Sequence, residues 1–542
     1  MVTNRRSFHC FAGSLIAGCF ILGVLLSTKV GAGILPEERK VDWQQAGLSQ
    51  GIPVYPNGGN AVLDFGAVGD GVADDTAAIQ EALNTVPEGE AVYLPNGTYR
   101  LTSPLSITRS VVLRGESRLE TVLSLDHLKD GIFIGSYSGS SGEMKILSGF
   151  SRGARQLQLS GTDRKFYVGA IVEIRQDNDP ELYQIGYKGH EPWTNRATGM
   201  MNEVVAIEGK EISLKFPLFL NYAKDYSPGI RSVGQTSLAG VENLLVHRAL
   251  KSTSASGANV VFYGAKQCWL KDIWSERAYS DHVRVSCSLE CEIRGNVFND
   301  TWQDSGGKGY GVTLEERSTL VLVEDNSFHH LRHSMPVQLG ASGNVYGYNF
   351  SIDPFSNDSP EWIFSDISAH GSMANYNLWE GNRAVQGFVD NVHGSNPYNT
   401  LFRNHFTKPK PKHFGIGIAT NNSSCSVIGN VIGNVIGDAA SGEEGDRGEL
   451  ISIDATVRAS TILTGNQNGI SGEVHWDPHL PKNLEASMYL TQKPSFFGRK
   501  AWPIFGPDVG VAETLPAEER WNKLIARPSA IRRSVDRAVD VD

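Results

Sequence analysis

The sequence predicts an all-β chain wound into a parallel β-helix with a short N-terminal capping helix, and three observations carry this. The first is a recurring corner between Ser280 and Thr456 that ends on asparagine, usually after glycine. It reads Arg294-Gly295-Asn296, Glu324-Asp325-Asn326, Gly347-Tyr348-Asn349, Glu380-Gly381-Asn382, Phe402-Arg403-Asn404 and Ile428-Gly429-Asn430, at intervals of 22 to 33 residues. The second is a pair of columns held in the same register. Three residues before each asparagine stand Ile293, Val323, Tyr346, Trp379, Leu401 and Val427; five before stand Cys291, Val321, Asn344, Asn377, Asn399 and Cys425. Residues two apart on a strand share a face, so both columns point to the interior. The third is composition: 58 glycines and short β-branched and aromatic runs broken by Gly, Asn and Asp make the repeating units strands rather than helices. Phe298, Phe328, Phe350 and Phe406, just past the asparagines, add apolar bulk. Stacked asparagines can then bond from coil to coil, each coil rising by roughly 4.8 Å.

From the N-terminus, residues 1–32 have the pattern of an export signal: Arg5-Arg6, an apolar run from Phe11 to Leu26, and Val30-Gly31-Ala32 as a small-residue cleavage site. The run is shorter than a membrane-spanning helix needs, so no stable membrane insertion is expected after cleavage. Arg5-Arg6-Ser7-Phe8 resembles a twin-arginine signal; Ile16-Ala17-Gly18-Cys19 resembles a lipoprotein box but is discounted because apolar sequence continues past Cys19, and the signal predicts a secreted or periplasmic protein. A linker over 33–55 leads to the β-helix over 56–475, and 476–542 form a C-terminal extension. A total of 542 residues suits a solenoid, whose coils contact only their neighbours. In the segment that opens the helix, Val62 to Phe65 is a short strand, and Asp74, Asp75 and Thr76 start a helix with Ile79 and Leu83 on one face, able to cover the open end of the coils. From Val122 to Lys251 the pattern loosens. Asp177 to Met201, with Trp193, forms a long loop overhanging the coils.

Gly69-Asp70-Gly71-Val72-Ala73-Asp74-Asp75-Thr76-Ala77-Ala78-Ile79-Gln80, followed by Ala91-Val92-Tyr93-Leu94-Pro95-Asn96-Gly97-Thr98-Tyr99, resembles the opening of the pectate-lyase superfamily. That group includes polysaccharide lyases, polygalacturonase-type hydrolases and tailspike-like proteins. The resemblance implies a right-handed parallel β-helix and a carbohydrate partner. The Asn-Thr-Asp, Asp-Asp and Gly-His-Gly motifs of the polygalacturonase-type hydrolases do not occur in the coils.

Each coil also has an earlier strand, and assigning its apolar alternates inward leaves an outward polar stripe. It runs through His282 and Arg284, Thr313 and Glu315, Pro336 and Gln338, Asp366, Ser368 and His370, Asn391 and His393, and Ser452 and Asp454. Within it His370-Gly371-Ser372 and His393-Gly394-Ser395 recur one coil apart, which sets the two imidazoles roughly 5 Å from each other. A solenoid must expose polar residues somewhere, but a doubled His-Gly-Ser among charged neighbours points to a site. His333, at a turn beside Arg332, lines the edge of the same cleft. Asp390 points inward by parity, and Trp379 belongs to the core.

Two chemistries fit such a stripe. β-Elimination on a uronic acid needs a base for the proton beside the carboxylate, supplied by His370 or His393, and a carboxylate-binding cation, supplied by Arg284 with Gln338. Hydrolysis needs two carboxyl groups, Glu315 and Asp366, which two coils set roughly 10 Å apart. His282, Gln338, Ser368, Asn391, His333 and Asp454 line the groove as substrate contacts in either case. A non-catalytic glycan-binding β-helix is the alternative of another class. Glu315, Asp366 and Asp454 are hard donors that would suit Ca2+, although no dense acidic loop marks a metal site. A net charge of −10 and the lack of a basic run argue against nucleic acid, and give no long-range attraction to a polyanionic sugar chain. Past the signal four cysteines remain. Cys268 and Cys291, one coil apart, can either pair as a disulfide or serve as small core residues, the second being favoured. Glu292, Arg294, Glu324 and Glu380 lie on another flank as solvated charge.

Overall fold

A computed structural model describes residues 33–136, 140–186, 193–357, 365–407, 413–433, 450–526 and 539–540; the signal segment lies outside them. The described chain is a parallel β-helix of three long sheets. One sheet has 12 strands, the second 13 and the third 10, neighbouring strands coming from stacked coils except Val474–His475, which closes the second sheet antiparallel to Asn466–Asn468. A single coil runs through the third sheet at Asp281–Ser286, the first at Glu292–Arg294 and the second at Val297–Thr301.

The asparagine corners join the first sheet to the second. The residue before each asparagine has positive φ: Gly295, Asp325, Tyr348, Gly381, Arg403 and Gly429. Glycine takes that conformation without strain, which explains its frequency there. Each asparagine Nδ2 donates to the Oδ1 of the asparagine one coil on, through Asn296, Asn326, Asn349, Asn382, Asn404 and Asn430, at 2.9–3.0 Å. The ladder ends one coil beyond the sequence expectation, at Asn466. A second, shorter ladder links Asn344, Asn377 and Asn399. These side chains satisfy backbone groups that a tight corner would leave without partners inside the protein.

The inward column Ile293, Val323, Tyr346, Trp379, Leu401 and Val427 is fully buried in one continuous core. Phe298, Phe328 and Phe406 join it. Phe350 does not: it pairs with Ser327 rather than Phe328, so its ring turns out of the coil and packs beneath the C-terminal segment. Cys268 and Cys291 sit in the core as free buried thiols.

Val62 to Phe65 forms turns rather than a strand; the opening strands are Asn57–Asn60 and Asp70–Asp74. Helix Thr76–Thr85 follows, burying Ile79 and Leu83 over the first coils. Asp74 accepts from the Thr76 amide and hydroxyl, while Asp75 turns back to the amides of Val68 and Gly69. The segment read as looser contains a closed antiparallel barrel of six strands, from Met144–Ser148 to Gly229–Ser232. It has its own core, with Leu157, Ile171, Ile174, Met200, Val204 and Ile212. The barrel interrupts the chain but not the helix. Val112 pairs with Gly240 and Ile132 with Val260, so the coils close beneath the insert.

Residues 33–55, read as a linker, are packed along the solenoid: Trp43 is buried and its Nε1 donates to the Tyr376 carbonyl. Together with 476–526 they cover Glu292, Glu324 and Glu380, which are buried rather than solvated. Arg294 bridges Glu292 and Glu324, the Tyr489 hydroxyl donates to Glu324, and the Met488 amide and Tyr348 hydroxyl donate to Glu380. Burial pushes both Glu324 and Glu380 up to about 7 from an ordinary 4.5. At these two groups the folded state therefore holds more protons than the unfolded chain between those values, and their contribution to stability falls as pH rises through that window. Thermal melts across this window isolate the contribution by comparison with Glu324→Gln: the melting temperature of the unaltered chain should fall with rising pH relative to that of the variant, and parallel pH profiles would contradict the assignment.

Candidate active site

The stripe expected from parity divides into two groups. One is drawn inward or tied up. His282 is fully buried on strand Asp281–Ser286, where the Ser275 hydroxyl donates to Nδ1 and Nε2–H donates to the Asp300 carbonyl; burial pushes its pKa down to about 3. Asp366 is also enclosed, accepting from the Ser351 hydroxyl and the amides of Val385 and Gln386, with burial raising it to about 6. The expectation that it faces Glu315 across a groove is corrected: a carboxylate that gathers local donors at a coil corner turns away from the strand face. Asn391 is buried, its amide donating to the Thr420 carbonyl and its oxygen accepting from the Gly186 amide. Asp454 caps helix Ala455–Arg458, accepting from the Thr456 amide and hydroxyl, which hold it below the usual carboxylate range.

Arg284 and Glu315 do face outward, but away from the histidines. Arg284 is paired with Asp281 at 2.9 Å, the Asp281 charge holding it above the ordinary guanidinium range. Its strand lies three steps from Ile367–Ala369 through Tyr310–Glu315 and Met335–Val337, about 14 Å along the stack. Glu315 accepts from Ser286 and from Gln338 Nε2, and burial raises its pKa. The calcium donors Glu315, Asp366 and Asp454 thus lie in three separate settings. Among the described residues no group of three or more His, Cys, Asp or Glu is arranged to hold a metal ion.

The other group converges. His370 and His393 lie with ring centroids 5.4 Å apart, at the separation expected from the sequence. His333 joins them, 5.7 Å from His370. His370 Nδ1 lies 2.7 Å from Asp390 Oδ2. A carboxylate can only accept, so Nδ1 carries a proton, and in the neutral imidazole this leaves the lone pair on Nε2. Asp390, assigned inward by parity, is the residue that sequence reasoning missed. Strand Gly387–Val389 ends just before it, and continued pairing of Ala369 with Val389 sets His370 opposite Asp390. The clue was its place in the column of Glu315, Gln338 and His370. His333 is buried, with Nδ1–H donating to the Ser365 carbonyl at 2.7 Å, and burial lowers it to about 3. It is a neutral imidazole at neutral pH. Two polar atoms on this flank, Gln338 Oε1 and Ser368 Oγ, are buried without a hydrogen-bond partner among the described residues.

The overhanging loop completes the arrangement. It leaves the barrel after Ile171–Arg175 and returns at Gly199–Glu208. The Tyr183 hydroxyl donates to the His393 carbonyl at 2.8 Å, the Ser395 hydroxyl donates to the Leu182 carbonyl, and the Gly186 amide reaches both the Asn391 carbonyl and side chain. Trp193 lies over His393 with centroids 4.0 Å apart and edge-on to His370 at 5.7 Å. The exposed face of the cluster is therefore His370, His393 and Trp193, with Asp390 and His333 beneath.

Residues 60–215 match the family model described as rhamnogalacturonase A/epimerase, pectate lyase-like. The tailspike gp61 of Pseudomonas phage phi297 has the same fold, with a TM-score of 0.57 at 14% identity over 77% of this chain and 71% of that one. This chain is a parallel β-helix whose residues 60–215 are similar to a pectate-lyase-like family. Among curated relatives of this β-helix, mannuronan C5-epimerase AlgE5 of Azotobacter vinelandii is 45% identical over 73 residues, 12% of this chain and 7% of that protein. Alginate lyase 7 of the same organism is 34% identical over 122 residues, 20% of this chain and 14% of that one. The chain thus spans less than a fifth of the length of these relatives. The family-model match ends before His333, so the histidine cluster stands on its own geometry.

Proposed function

We propose that this β-helix is an exported enzyme acting on an acidic polysaccharide, and that the histidine cluster removes the proton beside a uronate carboxylate. The His370–Asp390 pair is the observation that carries this reading. A carboxylate-oriented imidazole that is partly exposed to solvent has the makings of a general base. His370 Nε2 takes the α-proton, the C–H electron pair forms a double bond, and the glycosidic oxygen departs with a proton from His393. The printed activities of the relatives, alginate lyase and mannuronan C5-epimerase, fit the same first step; in the second the carbanion is reprotonated instead of expelling the oxygen. The paired-carboxylate hydrolase loses support, because Asp366 is committed inside the coil. Export rests on the pattern of residues 1–32.

A panel of mannuronate-, guluronate- and galacturonate-containing polysaccharides tests this directly. Elimination gives ultraviolet absorbance from unsaturated ends. Solvent deuterium appearing in the sugar without absorbance gives epimerisation by the same base. New reducing ends with neither signal would remove the proton-abstraction reading.

A further inference from the structure

Trp193 is unusual among the large aromatic residues of this chain. It is 44% exposed, while Trp43, Trp269 and Trp379 are fully buried. One face lies on His393, and an edge is close enough to Gly371 that a Cβ there would come within 3.0 Å of the ring. Among the described residues these contacts occupy one face and one edge of the ring. Its Nε1–H donates to no described residue, whereas Trp43, Trp269 and Trp379 all spend theirs inside the protein. An indole usually finds a partner for its N–H, and one that offers an apolar face and a free donor suits a ligand with the same division.

The loop that presents Trp193 is held at both ends. Asn178 bonds across its base, Nδ2 to the Thr194 carbonyl and Oδ1 from the Ala197 amide, both at 2.8 Å. Its far side is tied to the coil of His393 through Tyr183 and Gly186. The bonds of Asn178 to Thr194 and Ala197 thus anchor the residues that follow Trp193, which reduces the ordering cost of binding.

We infer that Trp193 is the platform of a sugar subsite beside His370, where a pyranose ring of the polysaccharide lies with its apolar C–H face on the open face of the indole. A ring substituent oxygen accepts from Nε1. The barrel insert, not the coils, then sets which sugar lies over the histidines. This inference rests on the proposed function for the identity of the ligand, but its test is independent of turnover.

Binding of short mannuronate and galacturonate oligosaccharides is measured by calorimetry in the His370→Ala background. Adding Trp193→Ala should weaken binding about tenfold, equivalent to about 1.4 kcal/mol, and Trp193→Phe should recover part of it, with unchanged thermal melts. In the otherwise unaltered chain Trp193→Ala should raise KM more than it lowers kcat. Undiminished binding in the alanine variant, or a loss confined to kcat, would overturn the platform and leave the histidine base in place. Full turnover by His370→Ala with tryptophan-dependent binding would remove the base and keep the platform. Absence of binding by the unaltered chain overturns the platform whatever the turnover assay shows.

Discussion

His370→Ala is expected to lower polysaccharide turnover by about two to four orders of magnitude, the range of a lost general base, with little change in the melting temperature. The side chain is only partly buried, and its one strong partner is Asp390. Asp390→Asn provides the finer test. An amide in place of the carboxylate can donate to Nδ1 and so favour the other tautomer, with the proton on Nε2, the atom that must accept. Turnover should fall by an amount approaching that of His370→Ala, while oligosaccharide binding persists. If both variants keep the activity of the unaltered chain on its best substrate, the histidine cluster is not the reacting centre. His393→Ala should affect a substrate with a poor leaving group more than one with a good leaving group, as befits an acid.

The largest expected stability effect is in the ladder. Asn382→Ala removes donors to the Asn404 side chain and the Tyr346 carbonyl, and the acceptor of the Asn349 amide and side chain. All of these groups are buried. Orphaning a buried donor or acceptor costs about 1–3 kcal/mol, and several are orphaned at once, so a loss of about 3–5 kcal/mol is expected. Denaturant unfolding of the unaltered and variant chains measures it. A loss under about 1 kcal/mol would mean that the corner backbone, and not the side-chain ladder, holds the coils in register.

The coil register was legible because it is written in residue types that a turn requires. A corner needing positive φ selects glycine, and the residue after it must serve neighbouring coils with both a donor and an acceptor, which selects asparagine. The same pattern placed Tyr346, Trp379 and Leu401 in the core and brought His370 within reach of His393. Parity failed where the chain leaves the strand. Asp366 stands just before its strand and turns inward, and His282 falls at a break in the pairing of its strand and is buried; Asp390 follows the last paired residue of its strand and turns toward His370. Glu324 and Glu380 have outward parity but are covered by a segment more than a hundred residues away. The barrel escaped detection because antiparallel strands such as Gln156–Leu159 and Glu211–Leu214 alternate by two without any corner residue in common.

By itself the sequence determined the coil: which residues stack, which column fills the interior and which flank carries the imidazoles, since these depend on neighbours one repeat apart and on a fixed strand period. Only the tertiary structure decided which polar groups remain for chemistry. That depends on long-range covering, with 33–55 and 476–526 burying one flank and the barrel loop laying Trp193 over another. A side chain's burial, and with it its charge state and freedom to act, is set by whatever segment comes to rest on it, and no local pattern encodes that.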